Sequence, residues 1–382
     1  MGRATTTTIS TLRTSTHHNQ KPMTPNCFRP ARFAVLATLG ALATAACADA
    51  GSDSAPADAE TAAATAGEVN VYSHRHYEAD QQLFDRFTEE TGITVNVVTA
   101  SADELITRLE SEGEASPADI LMTVDAGRLH RAKTRGLLQT IESDVLDTNV
   151  PAPLRDSDGQ WYGLTQRARV IFYHPDRVDP STLSGYGDLA DPDMEGRVLI
   201  RSSENVYNQS LMASIIAHEG EEAATEWAEG VVRNMARPPS GGDTDQIKAV
   251  AAGAGDLAVA NTYYAVRLAE SDDPEDQRVY EQVAVFFPNQ DGRGTHVNVS
   301  GGGVTTNAPN RANAIRLLEF LSGPEAQSLF ASSNGEYPVL EGVEWSSTLQ
   351  EWGDFQSDTL DLTRLGELND TAVRTFDRAG WR

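Results

Sequence analysis

From Glu68 onward, short apolar runs alternate with helical stripes, and no other feature limits the fold as much. Val69–Tyr72 reads as a strand, and Leu83, Phe84 and Phe87 give a helical stripe that stops at Gly92. Ile93–Val98 reads as the next strand, followed by a helix carrying Leu105, Ile106 and Leu109 that ends near Gly113. Asp119–Val124 is a third strand, and Arg128–Thr134 begins another helix. Such alternation predicts an α/β layer with a largely parallel sheet. The pattern then repeats. Arg167–Tyr173, Arg197–Ile200, Leu257–Ala260, Val283–Phe287 and His296–Val299 read as strands. Gln209–Ala217, Glu221–Arg233, a segment from about Tyr263 and Arg311–Leu321 read as helices. Roughly 315 residues are enough for two lobes of ordinary size. The expected division is a first lobe of 68–166 plus 292–340 and a second of 167–291 plus 341–382.

Residues 1–47 have a different character. The first 48 residues hold no Asp or Glu, but carry Arg3, Arg13, Lys21, Arg29 and Arg32. A small and apolar run from Phe33 to Ala46 then ends at Ala45-Ala46-Cys47. A basic flank, a short apolar core and small residues before a cleavage point predict a secretory signal over 1–47. Met23 to Cys47 would make a complete signal by itself, so the start at Met1 is expected to lie upstream of the true one. Thr44-Ala45-Ala46-Cys47 is similar to a lipobox with Thr in place of the usual aliphatic residue. Cys47 is therefore either discarded or becomes the lipid-modified first residue, and the tether that follows it favours the lipid anchor. That tether, 48–67, is rich in Ala, Asp, Ser and Thr and cannot bury enough apolar area to fold. Cys27 and Cys47 both precede the folded part, which leaves no disulfide, thiol nucleophile or zinc–thiolate site there. In an exported chain, two α/β halves suggest a ligand cleft between lobes that close about a hinge.

All 56 acidic residues lie beyond position 48, against 25 of the 30 basic ones, a net charge near −31. This argues against nucleic acid or an anionic membrane surface as a partner. Catalytic signatures are missing: there is no G-x-S-x-G elbow, no P-loop and no H-E-x-x-H, since His218-Glu219 is followed by Gly220. Asp156-Ser157-Asp158-Gly159 lacks the downstream Glu of a calcium loop and reads as a polar turn. Ser300-Gly301-Gly302-Gly303 could cradle an anion, but a strand-end crossing between lobes fits it better.

The tyrosines stand out by position. Tyr77 follows the first strand in Tyr72-Ser73-His74-Arg75-His76-Tyr77. Tyr207 sits in a polar loop just before a helix, and Tyr263-Tyr264 follow the strand Leu257–Ala260 through Asn261-Thr262. Each lies at or beyond the C-terminal end of a strand, the edge where open α/β sheets bind ligands. A single tyrosine there is usually packed on its ring with a wet hydroxyl, and His76, His74, His130, His174 and His296 read as ordinary surface histidines. The pair is more telling, because helical neighbours point about 100° apart and cannot both face one core. Spacing alone reaches only a polar cleft.

Longer motifs go further. V-N-V-Y-S-H-R-H-Y, A-D-E-L, S-P-A-D-I-L-M-T-V-D and Q-R-A-R-V-I-F-Y, then R-S-S-E-N-V-Y-N-Q-S, A-N-T-Y-Y, F-F-P-N-Q-D-G-R-G-T-H-V-N-V-S-G-G-G and E-Y-P-V-L, occur in that order. From Val69 to the C-terminus the chain resembles the ferric-ion-binding substrate-binding proteins of iron(III) ABC transporters, most closely their cyanobacterial, tyrosine-rich branch. The resemblance implies a periplasmic-binding-protein type II fold, two α/β lobes with a hinge and a cleft between them. It implies Fe³⁺ as the transported ligand, held by Tyr77, Tyr207, Tyr263 and Tyr264 with His76 as a fifth donor. Arg167 and Arg267 would supply compensating charge around them. It further implies a non-enzymatic, monomeric receptor in the periplasm that hands iron to an ABC permease. A receptor of the same fold for another small ligand, such as an anion, a polyamine or thiamine, is the alternative.

Overall fold

The computed structural model describes residues 67–75 and 77–382. The expected signal, tether and Cys47, together with His76, lie outside the described residues. Among the described residues nine strands form one mixed sheet. They are β1 (Glu68–Ser73), β2 (Thr94–Thr99), β3 (Ile120–Thr123), β4 (Tyr162–Tyr173), β5 (Val198–Leu199), β6 (Leu257–Asn261), β7 (Ala284–Phe286), β8 (Val297–Val304) and β9 (Tyr337–Pro338). Their order is β2-β1-β3-β8-β4-β6-β5, with β7 and β9 also paired to β4.

Between them run α1 (Glu78–Thr91), α2 (Ala102–Glu112), α3 (Ala126–Thr134), α4 (Asp144–Asn149), α5 (Val206–Glu219), α6 (Glu221–Asn234), α7 (Asp243–Ala251) and α8 (Thr262–Ala269). The expected strand–helix alternation is therefore present, with most bounds displaced by a few residues. In α1 the stripe predicted from Leu83, Phe84 and Phe87 is buried, and Gly92 ends the helix in the left-handed region at φ 70°. Burying each such side chain is worth about 1.5–3 kcal/mol. At α2, Ser101 accepts from the Glu104 backbone while Glu104 returns a carboxylate to the Ser101 N–H, so both ends of the first turn are satisfied.

The largely parallel sheet was too simple an expectation. Parallel pairing joins β1 to β2, β1 to β3 and β5 to β6, but β8 runs antiparallel to β3 and β4, and β4 antiparallel to β6, β7 and β9. The cause is β4, which is longer than expected. Residues Tyr162 to Ala168 pair with β8, and Arg169 to Tyr173 pair with β6. One strand thus passes from the first half of the sheet to the second, a connection that no strand–helix–strand unit makes. All described residues fall in one compact unit, and one apolar cluster runs from Tyr72 and Leu129 to Trp227 and Phe376. Among the described residues no helix is long and apolar enough to cross a membrane.

The glycine run is not a strand end. Gly301, Gly302 and Gly303 lie inside β8, opposite Gly163 and Tyr162 of β4. A Cβ on Gly301 would stand 2.3 Å from the Tyr162 carbonyl oxygen, and one on Gly303 2.4 Å from that of Gln160. Since backbone cannot yield as a side chain can, Gly301→Ala is expected to destabilise the protein by about 2–3 kcal/mol, read from urea unfolding midpoints. Asp156–Gly159 forms the expected polar turn, with Gly159 at φ 68° and the Asp158 amide donating to Asp156 Oδ2.

Candidate functional site

Four tyrosines converge where three helices begin. Tyr77 caps the N-terminus of α1 with extended backbone (φ −83°, ψ 147°). Tyr207 lies in the first turn of α5, not in the polar loop expected for it: Asn205 takes the capping position and accepts from the Tyr207 amide. Tyr263 and Tyr264 occupy the first turn of α8, which starts directly at the end of β6. A helix N-terminus carries unsatisfied N–H groups and the positive end of the dipole, which favours nearby negative charge by about 0.3–1 kcal/mol. Three such ends therefore meet a cluster of hydroxyls that could become anions.

The rings are close. Tyr263 donates its hydroxyl proton to the Tyr207 hydroxyl at 3.0 Å, and the Tyr263 and Tyr264 rings lie 4.3 Å apart. Tyr263 is buried, whereas Tyr77, Tyr207 and Tyr264 are half-buried and keep an edge open. Arg267 connects Tyr77 to the rest, 4.7 Å from its ring centre and 5.1 Å from that of Tyr263. On its other contact Tyr77 meets Arg75, 4.8 Å away.

Electrostatics link all four. Burial raises the Tyr77 hydroxyl above its ordinary value and Glu336 adds to the effect, opposed by Arg75 and Arg267. Burial also pushes Tyr207 far up, with Tyr77 and Tyr264 adding to it and Arg167 opposing. Tyr263 is raised well above its ordinary value, by burial first and then by Tyr207, Tyr77 and Tyr264. Without a cation among them, Tyr77, Tyr207 and Tyr263 stay protonated. A strong cation would reverse the balance.

Guanidinium groups surround the cluster. Arg167, Arg169 and Arg201 lie 5.4, 5.9 and 5.8 Å from the Tyr207 ring centre. Arg169 bonds Asp243 Oδ2 at 3.0 Å, Asn261 Oδ1 at 2.9 Å and Asn208 Oδ1 at 2.6 Å, and Arg201 shares Asp243 at 3.4 Å. Beneath Tyr77, Arg75 is buried between Asp80 at 2.9 Å and Glu336 at 3.3 Å. Arg167 and Arg267, the two expected from the sequence, both touch the tyrosines. Arg201, Asp243 and Glu336 were not expected, because their partners are too distant in the chain for any local pattern to reveal. Among the described residues no group of three or more His, Cys, Asp or Glu stands where it could hold a metal. His74 lines a pocket with Tyr207 and Tyr264, and His296 lines another with Tyr207, so imidazoles stand near the phenols as well.

The chain as a whole is similar to known proteins. The family described as bacterial extracellular solute-binding protein matches residues 115–356. Iron uptake protein A1 of Synechocystis is 52% identical over 315 residues, covering 82% of this chain and 88% of that protein. A Trichodesmium protein (IdiA, FutA), solved in complex with iron and citrate ligands, is 53% identical with a TM-score of 0.79, covering 83% of this chain and all of that one. The ferric binding protein from Campylobacter jejuni is 42% identical with a TM-score of 0.79, covering 82% of this chain and 100% of that chain. The fold is thus that of the type II periplasmic binding proteins, as the motifs implied. Its relatives are transport proteins that bind a solute. By sequence over most of its length, and by the structure it shares with them, the chain belongs to the bacterial extracellular solute-binding protein family.

Proposed function

We propose that this chain is an extracytoplasmic ferric-ion receptor which binds Fe³⁺ through the phenolates of Tyr77, Tyr207, Tyr263 and Tyr264 and delivers it to an ABC importer. The observation that carries the reading is the meeting of four tyrosines, ringed by Arg75, Arg167, Arg201 and Arg267, at three helix N-termini. The names of its relatives, which are iron uptake and ferric binding proteins, support the same cargo.

The chemistry suits the ion. Fe³⁺ is small, hard and highly charged, so it prefers anionic oxygen to sulfur or neutral nitrogen. An ordinary tyrosine is neutral at pH 7, and a trivalent ion makes the phenolate the favoured form. Four phenolates would overbalance the charge of the ion by one, and the guanidinium groups offset that remainder. Carboxylates would also serve Ca²⁺ and Mg²⁺, whereas phenolates discriminate. His76 is a fifth donor in this reading.

The two halves of the sheet act as lobes, Tyr77 on the first and Tyr207, Tyr263 and Tyr264 on the second. Metal bridging both favours the closed form, which the permease recognises. The receptor works as a monomer in the periplasm, lipid-anchored through Cys47. Loading iron-free protein with ferric citrate should produce a visible phenolate-to-iron charge-transfer band, with about one iron per chain by metal analysis. A saturated but colourless protein would refute the ligand set and favour a receptor for some other small solute.

A further inference from the structure

Beside Tyr207 the sheet face holds a second, smaller site. Its base is three adjacent strands, where Arg167 of β4 pairs across from Asn298 of β8 and Arg169 across from Asn261 of β6. Tyr207 and His296 complete the lining. Alternate residues of a strand face the same way, so Arg167 and Arg169 both point to this side while Ala168 and Val170 pack into the core behind. The pocket leaves about 10 Å³ of free room, enough for about one water-sized species.

Three of the six lining residues present a buried donor with no acceptor: Nη1 of Arg167, Nε of Arg169 and Nδ2 of Asn261. These residues are 3%, 2% and 1% exposed. Charge is unbalanced in the same place. Arg167 donates to the Val124 carbonyl, and among the described residues no carboxylate forms an ion pair with it. Asp243 is divided between Arg169 and Arg201. Asp125, on the far side of Asn298, already accepts from Ser210 Oγ at 2.5 Å and from Asn298 Nδ2 at 2.7 Å. Burial, followed by Arg293 and Arg167, holds His296 well below its ordinary value, so its ring adds no charge. A buried charge without a counter-charge is costly, as is each buried donor without an acceptor.

We propose that the iron-free protein binds a single halide-sized anion, chloride in solution, against Arg167, Arg169 and Asn261 in this pocket. One such ion satisfies all three donors and offsets the surplus guanidinium charge. A water molecule accepts only two hydrogen bonds and brings no charge, and sulfate or phosphate is too large. Tyr207 lines this pocket and Arg167 stands 5.4 Å from its ring centre, so the anion is assigned to the iron-free protein alone.

The test uses iron-free protein crystallised with bromide replacing chloride, with anomalous diffraction recorded at the bromine edge. A peak within hydrogen-bond reach of Arg167 and Arg169 is expected. In parallel, thermal unfolding in chloride should show a Tm about 2 °C above that in gluconate of equal ionic strength, because a ligand of the folded state raises Tm. Arg167→Met should erase the difference. The crystal experiment needs no variant and decides the matter if Arg167→Met does not fold. An ordered water without a bromine peak, or a chloride effect that survives in Arg167→Met, overturns the proposal.

Discussion

Tyr263→Phe and Tyr264→Phe should each weaken ferric-ion binding more than 100-fold while leaving the protein folded. Loss of a partner one step removed from a metal typically costs about 10–100-fold, and loss of a charged donor to a trivalent ion must exceed it. The fold should survive for an identifiable reason. Phenylalanine keeps the ring contact between the pair, 4.3 Å centre to centre, and in Tyr263→Phe only the 3.0 Å bond to Tyr207 is lost. One hydrogen bond is worth about 1 kcal/mol. Competition titration against a chelator of known affinity measures the first effect, and thermal unfolding of the iron-free variants controls for the second. Wild-type affinity in either variant would remove that residue from the ligand set.

Acid should release the metal steeply. Burial raises Tyr77, Tyr207 and Tyr263 above the ordinary tyrosine value, so in iron-free protein these phenols carry their protons throughout the neutral range. Iron must displace a proton from every phenol it takes. Each displaced proton changes the apparent affinity about tenfold per pH unit, in the direction that lower pH weakens binding. With three or four phenols engaged, affinity should fall by about 10³–10⁴ for each unit of acidification below neutrality, once the protonation of the competing chelator is accounted for. A site made of carboxylates would be flat over the same window, because those groups are already ionised there. A slope near one proton would therefore exclude a site of several phenolates.

Much of the molecule is legible in its sequence. The stripe of Leu83, Phe84 and Phe87, the stop at Gly92 and the alternation of strand and helix each arise from contacts within a few residues, where periodicity carries the information. The placement of tyrosines beyond strand ends can be read in the same way. Their convergence cannot, since a tyrosine at a strand end is more often simple packing; motif resemblance, not spacing, singles out these four. The polar neighbours of Tyr207 resemble a turn, yet Asn205 uses that polarity to cap α5 and draws Tyr207 into the helix.

What the sequence determined by itself was therefore the set of parts: which segments become strands and helices, and which rings stand at their ends. Only the tertiary structure decided their arrangement. Running β4 through both halves of the sheet brought Arg167 and Arg169 under Tyr207, and folding the chain back placed Glu336 against Arg75, 261 residues earlier. Buried charges must find partners wherever the chain can supply them, and that search is settled by packing in three dimensions, which leaves no periodic trace along the sequence.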